Sequence, residues 1–209
     1  MSLPEAIRGF LPKTVSFALR DPKRNYPLIG AEQDAISNAI AKRKTEFSAG
    51  RDAARDALVQ LGEGAVEIPV GLKRAPIWPD GINGSITHSN EMCMAIAARN
   101  MDARSVGIDA EKDEPLKDDL RSAILHDSEL NVSSFDATRL FSMKEALFKA
   151  LFPLCGEFFG FHAAKSDGAS GLILTRKLGE FAPGTTFDVP TLHHSGHVIS
   201  HCVVANAAI

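Results

Sequence analysis

Three short stretches of this sequence place charged side chains at spacings that chemistry can use. The first is Val106-Gly107-Ile108-Asp109-Ala110-Glu111. On a strand the two acids point to one face, about 7 Å apart by the strand rise, while Ile108 and Ala110 point into the core. Two carboxylates side by side repel unless a cation or a basic group stands between them. Mg²⁺ suits such a pair, because it takes one or two carboxylates and completes its shell with water and phosphate oxygens. The same spacing also describes a strand that ends with two acids in water. The second stretch is Phe141-Ser142-Met143-Lys144-Glu145-Ala146-Leu147-Phe148-Lys149-Ala150, where Glu145 and Lys149 lie one helical turn apart on one face. As a simple helix pair they would contribute about 0.3–0.5 kcal/mol; as site residues, Glu145 would take a metal and Lys149 a phosphate. The third is Gly84-Ser85-Ile86-Thr87-His88-Ser89, with a lone histidine at a strand end. Upstream of it Arg43, Arg51 and Arg55 fall on a helical stretch, and Lys73 and Arg74 in a loop. These cations stand beside apolar positions, so they describe either an anion pocket or a solvated helix face.

The elements that must position these residues follow from the hydrophobic pattern. Thr14–Leu19 reads as a strand and Asp21–Pro27 as a polar turn region. From Ala31 the period becomes helical, with Ile36, Ile40 and Phe47 on one stripe that Ala54, Leu58 and Leu61 continue. Ser48-Ala49-Gly50 is expected to break this stretch into two helices, and Gly62 to end the second. Residues 63–83, rich in Gly and Pro, read as a loop with short extended pieces. Strands are expected at Gly84–His88 and Met92–Ala98, with Ser89-Asn90-Glu91 turning between them. A polar junction, Arg99–Arg104, precedes a β-branched stretch at Ser105–Ala110. After it come a charged, partly helical region, Glu111–Leu130, and a strong helix, Ala137–Leu151. Further strands are expected at Gly171–Thr175, around Thr186–Val189, and at His197–Ala205. The histidines of the segment His193-His194-Ser195-Gly196-His197 read as a loop and a solvated strand start. Helix and antiparallel-like strands in each half predict an α+β fold of two lobes, residues 1–102 and 103–209.

Composition narrows the function classes. The 209 residues carry 23 basic and 26 acidic side chains, a net charge of −3, and 44% are hydrophobic. That excludes wholesale disorder and argues against a protein that coats nucleic acid, which needs a basic excess. The longest apolar run, Met92–Ala98, has seven residues against the ~20 that span a bilayer. The first residues lack a signal-peptide pattern. Three cysteines (Cys93, Cys155, Cys202), far apart and without a CxxC spacing, read as reduced thiols. A cytoplasmic protein is expected.

Taken together, KRKTEFSAGRDAARDAL, WPDGINGSITHS, SVGIDAE and FSMKEALFKALFP resemble, in order and spacing, the 4′-phosphopantetheinyl transferases of the surfactin and enterobactin synthetase type. The first two blocks look most like the branch of enterobactin synthetase component D. The resemblance spans roughly residues 31–155 and implies transfer of the phosphopantetheine arm of coenzyme A to a serine of an apo carrier protein, in siderophore or nonribosomal peptide biosynthesis, with release of adenosine 3′,5′-bisphosphate. It implies that Asp109, Glu111 and Glu145 hold Mg²⁺, that Lys149 contacts phosphate, and that Glu145 is the candidate general base, with Glu129 a second. Thr87 and His88 would belong to the coenzyme-binding set, His88 meeting the 3′-phosphate. Arg43, Arg51, and Lys73 or Arg74 would line the nucleotide pocket. The implied fold is a monomeric pseudo-dimer of two similar α+β lobes with the coenzyme in the cleft between them. Thr87 stands where the family often has serine, and Phe141 where tryptophan is common. Two other readings remain open: a non-catalytic coenzyme A-binding assembly subunit, and a metal-dependent phosphodiesterase. The segment Lys112–Asp136 offers Leu120, Ile124 and Leu125, rimmed by Lys117 and Arg121, as either a carrier dock or core.

Overall fold

The computed structural model describes residues 1–206. It divides into two compact units, Met1–Val106 joined by Ala205 and Asn206, and Gly107–Val204. The first unit opens with α1 (Leu3–Phe10), started by a capping box in which Ser2 and Glu5 satisfy each other's backbone N–H. β1 (Ser16–Arg20), α2 (Ala31–Asp34), α3 (Ala41–Gln60), β2 (Ile82–His88) and β3 (Cys93–Arg99) follow. The strands form an antiparallel sheet in the order β1-β3-β2, and α3 lies across it. Ala53, Ala54, Ala57 and Leu58 of α3 pack with Ala18, Ile82, Ala95 and Ala97 of the sheet. So many small side chains let helix and sheet approach closely.

The expected helix break at Ser48-Ala49-Gly50 does not occur. α3 runs unbroken for 20 residues. A Cβ on Gly50 would stand 3.0 Å from Ile86 Cγ2 and 3.5 Å from Cys93 Sγ, so the glycine marks close approach to the sheet. The interruption falls at Ile40, whose extended backbone caps α3. Gly62 ends the helix as expected, with φ +82°. Residues 63–81 hold only a 3-10 turn, Leu72–Arg74, and an isolated bridge between Val70 and Pro76.

The second unit takes up the chain within β4 (Ser105–Lys112) and continues with α4 (Asp118–Ile124), α5 (Ser134–Cys155), β5 (Ala164–Ser166), β6 (Gly171–Leu174), β7 (Thr186–Asp188), β8 (Thr191–His194) and β9 (His197–Val204). Two sheets form, in the orders β4-β9-β8 and β5-β6-β7. α5 exceeds the expected helix at both ends. The Ser133 hydroxyl accepts from the Asp136 N–H at its start, and Gly156 at φ +66° closes it. Leu140, Met143, Leu147 and Leu151 of α5 build the core with Leu172, Leu174, Val189 and Cys202.

The histidine segment differs from the expected loop and solvated strand start. It is a β-hairpin whose turn, Ser195-Gly196, holds both residues at positive φ. His193 and His194 lie on β8, and His197 is buried at the start of β9 instead of solvated. Among the described residues no helix is long and apolar enough to cross a membrane.

Candidate functional site

Gly107 determines how the carboxylates meet. A Cβ there would lie 2.0 Å from the Ala146 carbonyl oxygen and 2.6 Å from the Ala150 nitrogen, so the backbone of α5 rests directly on β4. Strand alternation places Asp109 and Glu111 on that same face. One turn of α5 carries Glu145 and Lys149 to them. Lys149 Nζ donates to Asp109 Oδ1 at 2.7 Å and to the Ile108 carbonyl at 3.1 Å. Lys149 therefore pairs across elements with Asp109, and not with Glu145 along the helix. Asp109 is buried and Glu111 half-buried, which removes the reading of two acids in water.

Burial, and then the charges of Asp109 and Glu145, push the Glu111 carboxyl up to about 7, against the pull of Lys149. Burial likewise raises Glu145, Asp109 adding to it and Lys149 opposing. Neither glutamate makes a hydrogen bond or ion pair with another described residue. Among the described residues no three His, Cys, Asp or Glu side chains are gathered tightly enough to cage a metal by themselves. Mg²⁺ does not require such a cage, since water and phosphate oxygens complete its shell. Glu111 and Glu145, hard oxygen donors held near Asp109 against mutual repulsion and without a hydrogen-bond or ion-pair partner among the described residues, fit that ion.

Glu129 belongs to a different arrangement. It is buried, and both carboxylate oxygens are engaged. Oε2 meets Lys144 Nζ at 2.5 Å and accepts from the His126 N–H at 2.7 Å, while Oε1 accepts from the Ser166 N–H at 2.6 Å. Burial lowers the Lys144 pKa, with Glu129 opposing. Sequence reasoning attached no role to Lys144; its position beside Glu145 on the helix was the available signal. Next to these residues lies a cavity of about 300 Å³. Lys144, Glu145, Leu147 and Phe148 of α5 form one wall, and Phe158–Phe161 with Ala164 form the other. Phe148 sits 5.0 and 5.1 Å from the rings of Phe158 and Phe159.

The first unit gathers part of the expected cation set. Arg43 Nη1 lies 3.3 Å from His88 Nε2. The Arg51 guanidinium is buried, 4.4 Å over the Phe47 ring, and its Nε has no hydrogen-bond partner among the described residues. Burial lowers its pKa to about 10; Glu32 opposes this, while Arg43 and Arg55 push the same way. Arg55, one turn from Arg51, is spoken for by Glu32 at 2.6 Å, Asp52 at 3.3 Å and the Pro27 carbonyl at 2.5 Å. Lys73 and Arg74 are exposed on the 3-10 turn, both at positive φ. Thr87 is buried, and alternation along β2 turns it to the face opposite His88. His88 and Thr87 are thus not brought to one surface by their side chains.

The chain is similar to known proteins along most of its length. Residues 31–98 match the family model of the 4′-phosphopantetheinyl transferase N-terminal domain, and residues 105–200 that of the 4′-phosphopantetheinyl transferase superfamily. The chain is 35% identical to the 4′-phosphopantetheinyl transferase PptT of Mycobacterium tuberculosis, over 92% of its own length and 91% of the relative's. It is 37% identical to the transferase Npt of Nocardia iowensis, over 79% and 81% of the two chains. With enterobactin synthase component D of Escherichia coli K12 it shares 34% identity over 55% of this chain and 58% of that one.

Proposed function

The chain belongs to the 4′-phosphopantetheinyl transferase superfamily, and from this membership we infer how its own residues divide the work of moving a phosphopantetheine arm from coenzyme A to a carrier-protein serine. The observation that carries the assignment of roles is the pair of half-buried carboxylates, Glu111 and Glu145, that the fold brings beside Asp109 without a hydrogen-bond or ion-pair partner among the described residues. Asp109, Glu111 and Glu145 would hold Mg²⁺, which when bound neutralises charge on the coenzyme A pyrophosphate. Lys149 supplies a second positive charge for a phosphate oxygen. Glu145, its proton affinity raised by burial, accepts the proton of the serine hydroxyl. The serine Oγ–P bond forms, the P–O bond to adenosine 3′,5′-bisphosphate breaks, and the departing nucleotide keeps that bridging oxygen and its electron pair. Phosphoryl transfer of this kind asks mainly for positioning and charge neutralisation.

Arg43, Arg51 and His88 take the nucleotide end, with Lys73 and Arg74 adding cations and Thr87 supporting the segment that carries His88. The aromatic cavity beside Glu145 takes the arm, whose chain of methylenes and amides suits an apolar wall with a few polar groups. Among the described residues the three cysteines are free thiols, which fits a reducing, cytoplasmic setting.

The direct experiment is the mass of an apo carrier protein incubated with the chain, coenzyme A and Mg²⁺. A gain of the phosphopantetheine arm is expected. Release of nucleotide without that gain would make the protein a phosphodiesterase, and coenzyme A binding with neither product would make it an assembly subunit.

Arg51→Ala is expected to raise the KM for coenzyme A at least about tenfold with little change in kcat. A charge-assisted hydrogen bond is worth about 1.5–3 kcal/mol, and one at the nucleotide end acts on ground and transition state alike. A large kcat loss at unchanged KM would move Arg51 to the reacting phosphates.

The carrier dock divides the segment between the carboxylate motifs. Ile124 and Leu125 are core, whereas Leu120 is 42% exposed, as is Leu130. Arg121, which donates to the carbonyls of Leu130 and Val132, holds the two segments side by side. We place carrier contact on Leu120 and Leu130, rimmed by the exposed Lys117. Leu120→Glu should raise the carrier KM about tenfold while melting and coenzyme A affinity stay unchanged. An unchanged carrier KM removes this surface from consideration.

A further inference from the structure

We propose that Glu129 and Lys144 form a positioning clamp that joins the two walls of the aromatic cavity and so sets its width and the placement of Glu145. This rests on the transfer reaction proposed above. The two oxygens of one carboxylate serve two different elements: Oε2 holds Lys144 of α5, and Oε1 holds the Ser166 N–H of β5. Lys144 and the adjacent Glu145 belong to one wall of the cavity, and Ala164, two residues before Ser166 on β5, belongs to the other. The Lys144 ammonium also donates to the Ile124 carbonyl at 2.9 Å, which ties the end of α4 to the same point.

A buried ion pair is a poor device for stability alone, because apolar side chains of similar volume replace it at little cost or with a gain. What it supplies is a directional link of fixed length between elements. The unit contains a need for such a link. On the β4 side α5 is located by the backbone contact at Gly107. On the cavity side the wall opposite α5 is built from the irregular segment Phe158–Gly160, from Phe161 at the start of a short 3-10 turn, and from Ala164 at the start of the three-residue strand β5. None of these pieces is long enough to set a gap by its own ladder. With both oxygens engaged in the buried state, Glu129 is not placed to take a proton from a serine, so its part is positioning.

The test uses the full chain, an apo carrier, coenzyme A and an S-acylated coenzyme A of larger girth. Two variants are compared, Glu129→Gln and the double change Glu129→Leu/Lys144→Met, the second of which removes both charges without leaving one stranded. Rates are measured below each melting midpoint. The double variant is expected to melt no lower than the wild type and to bind adenosine 3′,5′-bisphosphate unchanged, yet to lose at least about tenfold in kcat. Calorimetric affinities should show its discrimination between coenzyme A and the S-acylated form shifting by about tenfold. A double variant that folds with full kcat and unchanged discrimination overturns the clamp. So does failure of both variants to fold, since the pair is then a stability element. If the wild type modifies no carrier while the discrimination still shifts in the double variant, the clamp stands and the transfer reading falls.

Discussion

Glu145→Gln is expected to lower phosphopantetheine transfer by about a hundred- to ten-thousand-fold, the range spanned by loss of a positioned general base. The substitution keeps the side chain's shape and removes both its charge and its capacity to accept a proton. Its effect on the fold should run the other way. The carboxylate sits half-buried with no hydrogen-bond or ion-pair partner among the described residues, and burial raises its pKa. A folded-state pKa above the unfolded value means that ionisation opposes folding near neutral pH. Removing that charge leaves the melting midpoint of the metal-free protein unchanged or higher. Loss of activity with retained or increased stability is the signature of a group kept for function. Near-full turnover of the purified variant at saturating Mg²⁺ would overturn the assignment of Glu145, and a fall in melting midpoint would show that its charge is structural.

The same residue shows what sequence could and could not tell. The spacing of Asp109 with Glu111, and of Glu145 with Lys149, put each pair on one face of its own element. It did not tell which face met which. Lys149 therefore read either as the helix partner of Glu145, one turn away, or as a phosphate contact, whereas the structure hands it to Asp109 across the strand–helix contact. Periodicity describes an element in isolation, and the partner of a charged group is settled by packing. Gly50 failed for a related reason. Ser48 and Gly50 are weak helix formers by propensity, but the sheet close beneath favours a small residue there, and packing overrode propensity. β5 and β8 were missed because each is only three or four residues long and lacks alternation: Ala164-Lys165-Ser166 and Thr191-Leu192-His193-His194. Arg51 and Arg55 show the limit most plainly. They share a spacing and a residue type, yet one is consumed by Glu32 and Asp52 while the other is buried without an ion-pair partner among the described residues.

Gly107→Ala should cost both stability and activity, and by a route that no compensating side chain can relieve. The added methyl would come 2.0 Å from the Ala146 carbonyl oxygen and 2.6 Å from the Ala150 nitrogen. Both are backbone atoms of α5, and the residues that carry them are already alanines, so no rotamer can move aside. The helix must lift from β4. Overpacking of this kind costs about 1–3 kcal/mol or more, and each kcal/mol lowers the melting midpoint of a chain this size by about 2–4 °C. Lifting α5 also lengthens the 2.7 Å contact of Lys149 with Asp109 and withdraws Glu145 from Glu111, so transfer should fall even well below the melting midpoint. Ala146→Gly placed opposite should not rescue the variant, because the obstructing atom is the carbonyl and not the methyl. Gly50→Ala is the informative control. There the added methyl meets Ile86 Cγ2 and Cys93 Sγ at 3.0 and 3.5 Å, side-chain atoms that need give only by tenths of an ångström. Replacing a mid-helix glycine by alanine also returns about 1 kcal/mol of helix propensity. That variant should melt close to the wild type and keep its activity. If Gly107→Ala behaves like Gly50→Ala, the direct seating of α5 on β4 is not what assembles the carboxylates.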